Sequence, residues 1–292
     1  MSEIQRYYDE DLNKTLLIVP EDTHTVKSNE LIESQREYFE RQEAIKNDNR
    51  HYVNCYHDPV EELNDKLEVN ELGAIMKLLP YLRINSGGQL ISNGKRMGIS
   101  EIRKAIGKGD RWTVSLVKTL VEQDVLISVK EGRRNVYNVS ERYHTIGHTF
   151  KDSYYTKLYQ TKTRTDIKDI SIQAAGVLYK MLPFFHYSKY YLCENPNERN
   201  TDQLIHLTQR KFADVVCVDK AVVNRAITEL SKNGFVMISK SFGATVIMVN
   251  PDVMFRQRIG NEYTESVRYQ FKQASICAEQ NGVDVNLSDL PF

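Results

Sequence analysis

Residues 73–82 read GAIMKLLPYL, and residues 176–185 read GVLYKMLPFF. Gly, Lys, Leu and Pro stand at the same four places: Gly73 and Gly176, Lys77 and Lys180, Leu79 and Leu182, Pro80 and Pro183. The other six positions exchange one apolar residue for another. A chain that carries the same amphipathic helix twice is constrained to build one plan twice. Two copies are too few for a solenoid, so the pattern indicates a tandem domain duplication. A length of 292 residues accommodates it.

Each copy runs through the same order. Leu72, Ile75, Met76 and Leu79 form one helical stripe, which Pro80 ends. A turn at NSGG and a short strand at QLIS follow. Ser100 is the expected cap of SEIRKAIG, and Gly107 closes that helix. RWTVSLVKTLVEQ is a third helix, with Val114, Val117, Leu120 and Val121 at helical spacing. Two β-branched runs, VLISV and NVYNV, then flank Lys130-Glu131-Gly132-Arg133-Arg134, a hairpin with a basic tip. In the second copy Thr208 caps TQRKFADVV, Asp219 caps KAVVNRAITELSKN, and Gly234 ends that helix before FVMISKSFGATVIMVNP. The spacing between copies is 103 at the first helix and 110 at the third, where Leu120 matches Leu230. A longer loop in the second copy accounts for the difference.

Helix, short helix, turn, helix and hairpin is the winged-helix plan, a variant of the helix-turn-helix. The expected fold is mainly α with small β-hairpin wings (α+β). Its expected divisions are an acidic N-terminal arm (1–68), winged-helix domain 1 (69–148), a connecting helix or linker (149–171), winged-helix domain 2 (172–258), and a C-terminal helix and tail (259–292). The connecting helix is expected over Thr149 to Gln160.

The formal net charge is zero, but it is segregated. Residues 1–71 hold eighteen Asp/Glu and eight Lys/Arg, a net of −10. Residues 99–143 carry +3 and residues 204–258 carry +4. The two basic segments suit an acidic polymer. The acidic arm keeps the chain soluble, binds a protein partner, forms a dimer interface, or folds back and mimics the charge of DNA.

The second copy, LTQRKFADVVCVDKAVVNRAITELSKNGFV, resembles the winged helix-turn-helix of bacterial MarR-like and Crp-like regulators, and the matching module of RepL-type plasmid replication proteins. The resemblance covers about residues 69–143 and 172–253. It implies that Ala213 lies where two helices touch and that Val218 and Val223 are buried. Cys217 stands where those families usually place glycine. Recognition helix 2 would present Lys220, Val222, Asn224, Arg225 and Thr228; Asn suits adenine, and Arg suits guanine or a phosphate. Recognition helix 1 would present Arg111, Trp112, Ser115 and Lys118. The wings would contribute Lys130, Arg133, Arg134 and Lys240. Phosphate gripping by the first copy and base reading by the second is the implied division of labour. For Trp112, core packing is an equal alternative.

Other chemistry is not evident. Gly88 and Gly94-Lys95 are spaced wrongly for a phosphate loop, with Arg96 where Ser or Thr is needed. His144 and His148 lie four apart, but no Glu follows and no third metal ligand stands nearby. Asp58, Glu61, Glu62 and Asp65 read as a solvated helix face. Tyr143, Tyr154, Tyr155 and Tyr159 either stack on single-stranded bases or bury a helix. The four cysteines form no CxxC pair, and no apolar run approaches the roughly 20 residues that span a bilayer. The expectation is a cytoplasmic, non-enzymatic, sequence-specific binder of double-stranded DNA with no cofactor, no metal and no membrane association. A transcriptional regulator of a phage, plasmid or bacterial operon is favoured. A replication initiator binding origin repeats and a protein–protein adaptor are the alternatives, and a homodimer is left open.

Overall fold

The computed structural model describes residues 5–18, 25, 27–48, 50–241 and 244–281. The chain divides into two units, residues 1–49 and 50–292. The first holds an antiparallel hairpin of β1 (Gln5–Asp9) and β2 (Lys14–Ile18), and helix α1 (Asn29–Asn47). Ser28 Oγ starts α1 by accepting from Leu31 N at 3.2 Å.

The second unit begins with β3 (Tyr52–Tyr56), α2 (His57–Lys66) and α3 (Val69–Leu78). A 3-10 turn at Leu79–Tyr81 follows, with Pro80 inside it. Then come β4 (Ile91–Ser92), β5 (Lys95–Arg96), α4 (Ile99–Ile106), α5 (Asp110–Glu122), the hairpin β6 (Leu126–Glu131) and β7 (Arg134–Val139), and β8 (His144–Thr145). The second copy repeats the order: β9 (Tyr155–Tyr159), α6 (Gln160–Asp166), α7 (Ile172–Lys180), α8 (Gln209–Val215), α9 (Lys220–Lys232), the hairpin β10 (Val236–Ser241) and β11 (Ala244–Val249), and β12 (Met254–Phe255). Helix α10 (Glu262–Asn281) closes the described chain; the expected tail beyond it lies outside the described residues. Asn261 and Thr264 cap α10 reciprocally. In place of β4 and β5, the second copy carries the longer loop between Leu192 and Leu207, as the spacing requires.

The fold is mixed α/β, 46% helix and 22% strand, rather than mainly α. The added strand is a four-stranded antiparallel sheet in the order β12-β9-β3-β8. This corrects two expected divisions. Residues 50–68 belong to the second unit, as β3 and α2 of the first copy. Residues 155–159 are strand, not connecting helix, and open the second copy. YTKLY, with Tyr155 and Tyr159 flanking Thr156, Lys157 and Leu158, forms β9 by pairing antiparallel with β3 along its whole length.

The sheet register shows how the copies relate. β3 and β9 pair about Asn54 and Lys157, which match at the spacing of 103. β8 meets β3 through Cys55 and His144; β12 meets β9 through the matching residues Leu158 and Met254. Such reciprocal pairing places a local two-fold axis through Asn54 and Lys157.

The duplicated helices cross on the same axis. A Cβ added at Gly73 would collide with the Ile172 carbonyl, and one at Gly176 with the Val69 carbonyl. Val69 and Ile172 are themselves matching positions. The two glycines therefore let one helix backbone press on the other. The matched lysines tie the copies across the same contact. Lys77 Nζ donates to Ile170 O and Lys180 Nζ to Asn64 O, both at 2.7 Å. Both lysines are buried, and desolvation lowers the pKa of each.

Candidate nucleic-acid interface

α4 with α5, and α8 with α9, begin and turn at matching positions, through different capping residues. Thr208 Oγ1 accepts from Lys211 N at 3.2 Å, and Asp219 Oδ1 from Ala221 N at 2.8 Å, as expected of N-caps. In the first copy the cap is Gly98, not Ser100. α4 begins at Ile99, and the Glu101 carboxylate accepts from Gly98 N at 2.9 Å. A carboxylate at the third helical position neutralises the exposed amide, so Ser100 lies inside the first turn.

The turns between these helices need a left-handed residue. Gly107 has φ +70° and Cys217, its match, φ +53°. Cys217 keeps the turn tight at the expense of strain. Beyond the third helix the residues are exchanged, with Asp124 at φ +54° matching Gly234 at +69°. An L-residue in this region costs about 1–2 kcal/mol. Cys217→Gly is therefore expected to raise stability by about 0.5–1 kcal/mol, after the greater chain freedom of unfolded glycine is allowed for. Thermal unfolding checks this; a lower midpoint contradicts the strain.

α5 and α9 bury and expose the same positions. Thr113 and Val223, Leu116 and Ala226, Val117 and Ile227, and Leu120 and Leu230 are buried pairs. Matched exposed pairs include Arg111 and Ala221, Val114 and Asn224, Ser115 and Arg225, and Lys118 and Thr228. Val114, expected in the apolar stripe, is 50% exposed, and Leu116 takes its place inward. Trp112 is half-buried against the core, its ring centroid 6.0 Å from Lys108 Nζ; its match, Val222, is half-buried too. Val223 and Ala213 are buried as expected, and Val218 partly so.

Three of the cations on these helices make surface ion pairs. Lys220 Nζ lies 3.2 Å from Asp214, Lys118 Nζ 3.7 Å from Glu122, and Arg103 3.0 Å from Asp110. Arg225 Nε donates to Ala221 O at 3.3 Å, and Thr228 Oγ1 to Asn224 O at 2.9 Å. Exposed pairs of this kind are worth about 0–1 kcal/mol, so a phosphate can displace the acidic partner cheaply. On the hairpin β6–β7, Lys130, Arg133 and Arg134 are exposed and Gly132 has φ +61° at the turn. Arg134 donates to Arg96 O at 3.1 Å and faces Glu131 at 3.5 Å. Lys240 pairs with Thr245 in β10–β11; its side chain, and the tip at residues 242–243, lie outside the described residues.

The other expected features resolve structurally. His144 sits in β8, fully buried, with Nε2 2.9 Å from Tyr179 Oη. Burial holds its pKa down at about 3, so the imidazole is neutral. His148 instead lies 3.9 Å from Glu141. Among the described residues no three potential metal ligands converge. Tyr143 and Tyr159 are buried and Tyr154 is exposed. No helix among the described residues is long and apolar enough to cross a membrane. No known family model matches this sequence, and no curated protein or solved structure matches the chain.

Proposed function

We propose that the chain is a sequence-specific double-stranded DNA-binding protein, acting as a transcriptional regulator of a phage, plasmid or bacterial operon. Each copy is a winged helix. α5 and α9 enter the major groove, and the hairpins β6–β7 and β10–β11 lie on the flanking backbone. Binding, with no chemical step, is the activity. The observation that carries this reading is the matched exposure of α5 and α9, whose outward positions hold Ser115, Lys118, Asn224, Arg225 and Thr228. Polar side chains of these types read base edges, and the basic hairpin tip supplies phosphate contacts.

The local two-fold axis supports a particular form of target. Two heads related by a two-fold read half-sites in inverted orientation, not as a direct repeat. The heads differ in sequence, so the halves differ too. Selection from a random duplex pool tests this reading. The expected product is an imperfect inverted repeat. Direct, iterated copies would favour an initiator, and no retained duplex at low salt would reject DNA binding in favour of an adaptor.

A further inference from the structure

We propose that α1 is a self-association helix, which pairs antiparallel with α1 of a second copy of this chain. Among the described residues of the unit formed by residues 1–49, no side chain is buried. A 19-residue helix and a two-stranded hairpin are each marginal in water without an apolar surface to cover. Yet α1 carries that surface. Leu31, Tyr38 and Ile45 repeat every seven residues, as do Ile32 and Phe39. Leu31, Ile32, Tyr38 and Phe39 are 47%, 50%, 58% and 68% exposed. Seven-residue spacing keeps such a stripe against one partner helix along its whole length.

Charge complementarity selects a second copy as that partner. Arg36 and Glu43 lie seven residues apart on one flank of the stripe, and both are exposed. In an antiparallel pair equal flanks meet, so each Arg36 faces the partner's Glu43. Within one chain Arg36 makes an i,i+4 ion pair with Glu40 at 2.8 Å; an exposed pair of this kind contributes little. Antiparallel pairing also aligns the helix dipoles favourably.

Sedimentation of the full chain tests the proposal. The expected result is a dimer whose dissociation constant rises about tenfold or more in Phe39→Glu, with the circular dichroism of the folded chain retained. Arg36→Glu and Glu43→Arg should each weaken the dimer, and the double variant should restore it. A chain that is monomeric at its highest soluble concentration overturns the proposal. A dimer untouched by Phe39→Glu overturns it also, and failure of the double variant to restore pairing overturns the antiparallel arrangement.

Discussion

Gly176→Ala should lower the stability of the second unit by about 3 kcal/mol or more, and Gly73→Ala by a similar amount. The sign is what makes this informative. In an ordinary helix interior, replacing Gly by Ala gains about 1 kcal/mol. Here the new Cβ would fall on a backbone carbonyl, Val69 O for Gly176 and Ile172 O for Gly73. Backbone cannot swing aside as the end of a flexible side chain can, so α3 and α7 must separate. Their separation strains the 2.7 Å bonds from Lys77 to Ile170 O and from Lys180 to Asn64 O, and uncovers two desolvated ammonium groups. Because both substitutions part the same pair of helices, the double variant should cost less than the two single effects added together. Urea unfolding measures all three. An unchanged or raised midpoint for either single variant would remove the helix crossing from the account of the duplication.

The duplication itself was legible, because the glycines, lysines and prolines that create the crossing and end the helices are few and chemically irreplaceable. The capping residues Thr208 and Asp219, the hairpins, and the longer second loop were legible for the same reason. The central sheet was not. Its two middle strands, YVNCY and YTKLY, carry Asn54 and Lys157 at the axis, and a polar centre hides a buried strand. Each is satisfied by a carbonyl just past the outer strand of its own copy: Asn54 Nδ2 donates to His148 O and Lys157 Nζ to Gln257 O, at 2.8 Å each. A signal was present all the same. Carrying the spacing of 103 back past Gly73 aligns Tyr52 with Tyr155 and Tyr56 with Tyr159. Val114 misled for a different reason. Helical periodicity permits it on the apolar side, and only the packing of Leu116 against the core turns it outward. At the interface, type and spacing of residues gave the third helices; that their exposure agrees position by position required the structure.

Arg225→Ala should weaken binding to the selected duplex by about 1–3 kcal/mol and relax sequence preference in one half of the site only. The asymmetry follows from the match between the copies. Where the second presents Asn224 and Arg225, the first presents Val114 and Ser115. Asn and Arg can each make paired bonds to one base edge; Val can touch only a thymine methyl, and Ser makes a single, less selective bond. On the proposed reading, removing the Arg225 guanidinium should therefore take discrimination from one half-site and leave the other as it was. The joint substitution of Arg133 and Arg134 by Ala is the contrast. These lie at the exposed hairpin tip, which the proposed reading sets on phosphate, so it should weaken all duplexes alike and reduce the salt slope by about 2. Competition binding with each half-site altered in turn, at several salt concentrations, separates the two effects. If Arg225→Ala lowers affinity for every sequence equally and flattens the salt dependence, Arg225 grips phosphate, and base reading must be sought elsewhere on α9. If it relaxes both halves together, the copies do not act as separate heads, and the inverted, unequal site is wrong.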